Sequence, residues 1–402
     1  MTRHPFMMIV LGTLMMFGPI SIDMYLPSMP TIARDFGVAG GSVQLTLSAL
    51  VFGLAIGQLV YGPLSDRFGR RAPLTSGILL FGAASLGCAI ASSVEEMAVL
   101  RLLQGIGGAA GGVLARAIVR DLYDRDDGAR ILSLLYMVMA AAPMIAPHIG
   151  SQVMYFFDWR MIFWVLAAFG VLALILSSTG LHETHPPEKR VKHSLIGVLV
   201  AYFGLIKDVR FMGYALVGGF TFAGMFTFFS AGPFVFEDVY GITPQGFAVL
   251  FSVNVAGIIL GGFVNSRLVK RLGVDRMLLL STIWITVMGT AMALMALAEF
   301  DSFLPIYVPM VLFIATISMT IANTNAGALE DYPQLAGTAG ALLGTSMYVI
   351  GASVGIIVGQ LYNGTPLPMA GFVFLSGVVA LLARLFLIGR GRAVTDAAAS
   401  SA

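Results

Sequence analysis

The sequence predicts an all-α polytopic membrane protein with twelve transmembrane helices in two six-helix halves. Three observations predict it. Of 402 residues, 58% are hydrophobic and only 11% charged, whereas ordinary soluble domains carry about 25% charged residues. A span needs about 20 mostly apolar residues, and twelve such stretches lie near residues 6–29, 43–63, 75–92, 97–117, 130–152, 161–180, 211–233, 246–265, 277–298, 303–325, 337–360 and 368–388. One longer polar interval, 181–210, separates the first six from the last six.

The predicted organisation is an N-terminal bundle over 1–180, a cytoplasmic linker over 181–210, a C-terminal bundle over 211–390 and a cytoplasmic tail over 391–402. The linker's central "IGVLVAYFGLI" is too short to span and reads as a helix along the interface. Arg3 precedes the first apolar run as in a signal peptide. No small-x-small cleavage site follows, so the run reads as a retained helix. With the N-terminus cytoplasmic, most of the 23 Lys and Arg fall in inner connections. The positive-inside rule therefore places both termini in the cytoplasm. The single cysteine, Cys88, excludes a disulfide framework and a multi-Cys metal site. No metal site and no cofactor are expected.

In the first span, "PISIDMYLPSMP" sets Asp23 just before Pro27 and Pro30. Proline has no N–H, so Pro27 deprives the carbonyl of Asp23 of its helical partner, and Pro19 does the same to Met15. Irregular backbone at membrane depth survives only where it is buried in protein or lines water. Asp23 is the one carboxylate well inside a span, at an insertion cost of about 3 kcal/mol. Its candidate cation is Arg101 in span 4, "LRLLQGIGGAAGG", reached from the same side of the membrane. Asp23 reads as a carboxyl that alternately holds a proton and meets the cation or substrate. The competing expectation is a structural ion pair locking spans 1 and 4.

Between spans 2 and 3, "YGPLSDRFGRR" concentrates Asp66 with Arg67, Arg70 and Arg71 at a helix junction, which suggests a charge-locked latch. "NSRLVKRLGVDRML", after span 8, repeats its basic residues and glycine at the equivalent place, as an internal duplication requires. In span 4, Gly107/Gly111 and Gly108/Gly112 form small-xxx-small pairs that allow close helix approach. Arg116 lies about 22 Å beyond Arg101 along the axis and reads as an inner-edge anchor. In span 5, Pro143 and Pro147 lie one turn apart and predict a bend, as does Pro27 in span 1. His148 reads as a hydrogen-bonded helix partner. Span 7 is rich in Phe and Met, suited to promiscuous apolar binding. Candidate cavity residues are Tyr25, Gln104, Tyr136, Phe226, Asn254, Asn323 and Asn325.

"GPLSDRFGRRAPL", through Gly62, Leu64, Asp66, Arg67, Gly69, Arg70, Arg71 and Leu74, resembles the loop 2–3 signature of the major facilitator superfamily. "RLLQGIGGAA" resembles the span 4 signature of its proton-coupled members. "SIDMYLPSMP" and "FTFAGMFTFFSAGPFVF" resemble the bicyclomycin-resistance (Bcr/CflA) branch of drug:proton antiporters. The resemblance implies the major facilitator fold, alternating access, and export of small antibiotics against inward proton flow. It makes Asp23 and Arg101 the coupling pair, and Gly62, Asp66, Arg67, Gly69, Arg70 and Arg71 a cytoplasmic gate motif. Span 5 departs from the antiporter signature, with Ala146-Pro147 and Gly150-Ser151 in place of Gly-Pro and paired glycines. Looser packing is expected there.

The expected function is a proton-coupled multidrug efflux antiporter in the bacterial inner membrane. Its partners are protons, the bilayer and a small amphiphilic drug such as an antibiotic, with no nucleic acid and a monomeric state. The alternative is a proton-coupled carrier of a small metabolite, amino acid or sugar-like, which would place more polar groups in the spans. An enzyme would need paired acids, H-E-x-x-H or a Ser/His arrangement within spans, and the sequence has none.

Overall fold

The computed structural model describes residues 4–190, 195–330, 332 and 335–389. The predicted tail over 391–402 lies outside the described residues. Among them the chain is helical, without strands. The first half comprises α1 (His4–Met15), α2 (Phe17–Asp23), α3 (Met29–Phe36), α4 (Gly40–Phe68), α5 (Arg71–Ile90), α6 (Val94–Leu122), α7 (Arg125–Phe156) and α8 (Arg160–Gly180). After α9 (Leu195–Lys207) come α10 (Val209–Pro233), α11 (Pro244–Leu272), α12 (Val274–Leu297), α13 (Leu304–Ala315), α14 (Ile317–Glu330), α15 (Ala336–Leu361) and α16 (Leu367–Ala383). Eleven helices are long and apolar enough to cross a membrane. The bent pair Phe6–Met15 and Phe17–Phe36, counted as one span, makes twelve.

Two compact units are present, Met1–Leu195 with Thr243–Ser252, and Ile196–Ile242 with Val253–Ala402. The start of α11 thus clusters with the first unit and its remainder with the second.

In the first unit α6 is the central rod. A Cβ on Gly105 would sit 2.0 Å from the Leu50 carbonyl of α4, one on Gly107 2.5 Å from the Phe81 nitrogen of α5, and one on Gly111 2.2 Å from the Leu14 carbonyl of α1. Glycine is required at each because backbone meets backbone. The predicted pairing is only half right: Gly108 makes ordinary contact with Phe81 and Phe17, and Gly112 faces open space. In the second unit a Cβ on Gly261 of α11 would overlap the Ala315 carbonyl of α13, and Gly289 and Gly377 bring α12 and α16 together.

Gly257, Gly261 and Gly273 recur at the spacing of Gly53, Gly57 and Gly69. Gly69, at the end of α4, has φ 88° and Gly273, at the end of α11, has φ 78°. The two halves thus turn the corner between their second and third spans with the same left-handed glycine, as a duplicated chain would.

In the first span, proline acts differently from the expectation. The 46° bend in the first span falls between Met15 and Phe17, one turn before Pro19, where that proline strips the Met15 carbonyl of its partner. Pro27 instead lies in a 3₁₀ turn, Leu26–Ser28, so it interrupts the helix without supplying its main bend. α7 is one continuous helix that contains Pro143 and Pro147. It is not loosely packed at its departure from the antiporter signature. A Cβ on Gly150 would come within 2.2 Å of the Met24 carbonyl, and Ser151 is fully buried.

These contacts predict that Gly105→Ala lowers thermal stability by about 1–3 kcal/mol through overpacking, whereas Gly112→Ala leaves it unchanged or slightly raised. Thermal unfolding of both variants in one detergent measures the difference.

Candidate functional site

The site is built on the interrupted first span. α2 ends at Asp23, and the Tyr25 N–H turns to the Ile22 carbonyl at 3.3 Å instead of reaching back four residues. In a regular helix that N–H would serve the carbonyl of Ser21. The Ser28 N–H and hydroxyl both go to the Tyr25 carbonyl, at 3.0 and 2.6 Å. Local bonding therefore leaves the Ser21 carbonyl without its helical donor, in a buried place.

Arg101 of α6 takes it. Its Nη1 and Nη2 both donate to the Ser21 carbonyl at 3.1 Å, and Nη1 also donates to Gln104 Oε1 at 2.7 Å. Gln104 Nε2 in turn donates to Ser85 Oγ of α5 at 2.7 Å. The guanidinium stacks over Tyr25, 4.3 Å from the ring centroid. The Thr46 hydroxyl donates to the Val43 carbonyl, so the Tyr25 hydroxyl is the donor to Thr46 at 2.6 Å. Arg101 is 0% exposed, and its planar fork serves both acceptors while its face meets the ring.

Asp23 is 2% exposed. Among the described residues its carboxyl has no hydrogen bond and no ion pair. The structural salt bridge between spans 1 and 4 is therefore not formed. The guanidinium is held on the backbone two residues earlier.

A second polar cluster gathers the ends of α4, α6 and α8 around the start of α5. Arg70, itself buried, donates from Nε to Asp121 Oδ2 at 2.8 Å, and from Nη1 to Asp66 Oδ1 at 2.6 Å and Ser65 Oγ at 2.7 Å. Glu183 accepts the backbone N–H groups of Arg70 at 2.8 Å and Arg71 at 3.2 Å, which crowds a Cβ out of Gly69. Partial burial pushes the Glu183 carboxyl up, but the N–H groups of Arg70, His185 and Arg71 outweigh it and hold the group below its ordinary value. Thr184 donates to Asp121 at 3.2 Å.

The family model described as Major Facilitator Superfamily matches residues 9–356. The chain belongs to this superfamily. A Bacillus subtilis protein named an uncharacterized MFS-type transporter is 39% identical over 93% of each chain. A Haemophilus influenzae bicyclomycin resistance protein homolog is 34% identical, covering 95% of this chain and 96% of that one. Multidrug resistance protein D of Escherichia coli is 29% identical over 85% of each. The resemblance to the bicyclomycin-resistance branch is borne out. The fold is that of solved transporters, among them a peptide transporter with TM-score 0.76 at 16% identity, covering 97% of this chain and 95% of that one. The superfamily and these relatives are transporters, not enzymes.

In this superfamily member, the loop 2–3 motif divides. Asp66, Gly69, Arg70 and Arg71 enter the cluster, whereas Arg67 lies over Phe68 and a Cβ added to Gly62 would meet nothing within 4 Å. Of the cavity candidates, Tyr25 and Gln104 have their polar atoms engaged around Arg101, and Asn323 donates to Asn265 Oδ1 and the Met319 carbonyl, each at 2.8 Å. These three are not presented as free ligands. Phe226 and Asn254 are buried, Asn325 is half-buried and Tyr136 is exposed. His148 Nε2 meets Ser252 Oγ at 2.9 Å, as a helix partner should. Sequence reasoning missed Ser21, Ser85, Asp121 and Glu183. Only Asp121 left a signal, an acid in the last turn of span 4 at the same membrane end as the motif.

Arg101→Lys is expected to cost about 1–3 kcal/mol, because one ammonium cannot serve Ser21 and Gln104 in the same planar geometry and leaves buried groups unpaired. Thermal unfolding measures it, and the double variant with Gln104→Ala should show less than additive loss. A carboxyl held low when folded contributes stability above its ordinary range of about 4.3 that is lost as pH falls through the folded value. The Tm difference between the parent and Glu183→Gln should accordingly be present at neutral pH and shrink on acidification through that range.

Proposed function

We propose that this chain is a proton-driven exporter of small amphiphilic antibiotics, lying as a monomer in the bacterial inner membrane with both termini cytoplasmic. The observation that carries this proposal is Asp23: a buried carboxyl with no partner of its own, at an interrupted helix beside a committed cation. Burial without a partner favours the neutral acid over the carboxylate. When the proton leaves, the new charge lies two residues from the carbonyl that Arg101 grips. Re-aiming the guanidinium from that carbonyl to the carboxylate exchanges a backbone contact for an ion pair and frees the broken segment to move.

Drug and proton then exclude one another through the same segment, and alternating access links their fluxes. One proton entering at 100 mV supplies about 2.3 kcal/mol, enough for roughly a fifty-fold gradient of a neutral drug. The substrate class is supported by relatives named for resistance to bicyclomycin, to several drugs and to chloramphenicol. The cluster around Arg70 serves as the inner gate latch, closed in one state and open in the other.

Adding chloramphenicol to purified protein in weak buffer should release protons from the parent and none from Asp23→Asn. Release that persists unchanged in the variant removes Asp23 from coupling. In proteoliposomes with an imposed pH gradient, export against inward proton flow is expected, and movement of drug together with protons would overturn the antiport assignment.

A further inference from the structure

Helix α9 has 13 residues, about 20 Å at 1.5 Å per residue, which is too short for a hydrocarbon core of about 30 Å. No residue from Leu195 to Ile206 is charged. One face is accounted for: Leu205, 2% exposed, packs with Tyr202 into the cluster of Phe211, Tyr214 and Ile388. The other is not. Val200, Phe203 and Ile206 are 64%, 62% and 46% exposed, and their spacing of three places them along one side of the helix. Val209, at the start of α10, continues the exposed apolar surface into a helix that crosses the membrane. Charge appears only at the borders. Lys207 closes the helix and is exposed. The nearby acid, Asp208, is occupied in capping α10 through the N–H groups of Arg210 and Phe211, each at 2.9 Å.

We propose that α9 lies in the headgroup boundary of the bilayer, with Val200, Phe203 and Ile206 inserted among acyl chains and Lys207 set against anionic phospholipid headgroups. An apolar strip with a cation at its end fits that boundary, and juxtamembrane Lys is drawn to anionic lipid. The leaflet rests on the orientation proposed above; the insertion itself does not. Through Tyr202 and Leu205, lipid that grips α9 also grips the base of the second unit.

The chain's one cysteine, Cys88, is buried, so single-site labelling needs only Cys88→Ala. Full-length protein carrying Phe203→Cys with a nitroxide, in nanodiscs of phosphatidylcholine with and without phosphatidylglycerol, tests the proposal. High accessibility to oxygen and low accessibility to a nickel chelate are expected at this position, with the nickel value falling further when phosphatidylglycerol is present. The same label at Lys207→Cys should be reached by nickel. Nickel access at Phe203→Cys in both lipids would place the face in water, and protection from both reagents would place it against protein; either overturns the proposal. An unchanged nickel value on adding phosphatidylglycerol would overturn the anionic contact. Quenching of Phe203→Trp by brominated lipid, relative to the parent, checks the insertion without altering Cys88. Neither readout requires transport, so its outcome stands apart from that of the drug-export assay.

Discussion

Inside hydrocarbon each backbone carbonyl must find a donor, because no water is there to supply one. A regular helix meets this demand by itself, and the first span does not stay regular. Where its hydrogen bonding tightens after Asp23, the carbonyl of Ser21 is orphaned, and the guanidinium of Arg101 supplies two N–H groups to it. The cation is thereby consumed by the backbone and leaves the adjacent carboxyl unpaired. That division of labour explains why two opposite charges can lie near the same helix break without joining. It also explains why Arg101 needs so much support. Gln104 fixes one edge, Ser85 fixes Gln104, and Tyr25 covers the face.

The support is possible only because α6 lies close to its neighbours. Glycines at positions 105, 107 and 111 let three different helices reach its backbone, so its few polar side chains meet partners at short range. The second half has the same economy, with Gly261 against a carbonyl and Gly289 opposite α16. Close glycine packing replaces the hydrophobic driving force, which is absent between helices in lipid. The polar content of the spans can then be spent on the interrupted first helix.

The fold was legible in the sequence because hydropathy reports spans directly, and the bilayer forbids most alternatives. Span count and the half-way linker came from composition and spacing, and the loop 2–3 motif from its resemblance to a family signature. Legibility failed where the decisive partner is a backbone atom. Counting four residues back from Pro27 located a loose carbonyl at Asp23, but whether Tyr25 bonds to Ser21 or Ile22 depends on how the turn tightens. No residue type encodes that choice. The same limit hid Glu183, whose partners are the backbone N–H groups of Arg70, Arg71 and His185. Gly150 kept its close approach although the signature around it is altered, because the contact needs one missing Cβ and not a matching string.

A single rod carries both polar centres of the first unit. α6 presents Arg101 to the broken helix near one end and Asp121 to Arg70 near the other, twenty residues and about 30 Å apart. Between them its backbone is pressed against α4, α5 and α1, which leaves no loose segment to absorb a displacement. A change in what Arg101 grips therefore cannot be taken up locally by bending α6. It must be met by the softer partner, the interrupted segment from Met24 to Ser28, or by movement of the rod as a whole. The first course shifts Met24 against Gly150 of α7, whose glycine leaves no margin for compression. The second pulls on Asp121 and with it on Arg70, Asp66 and Glu183. Either way a change in what Arg101 grips is passed to helix positions, because rigid, close-packed backbone has two arrangements available more readily than a continuum of them.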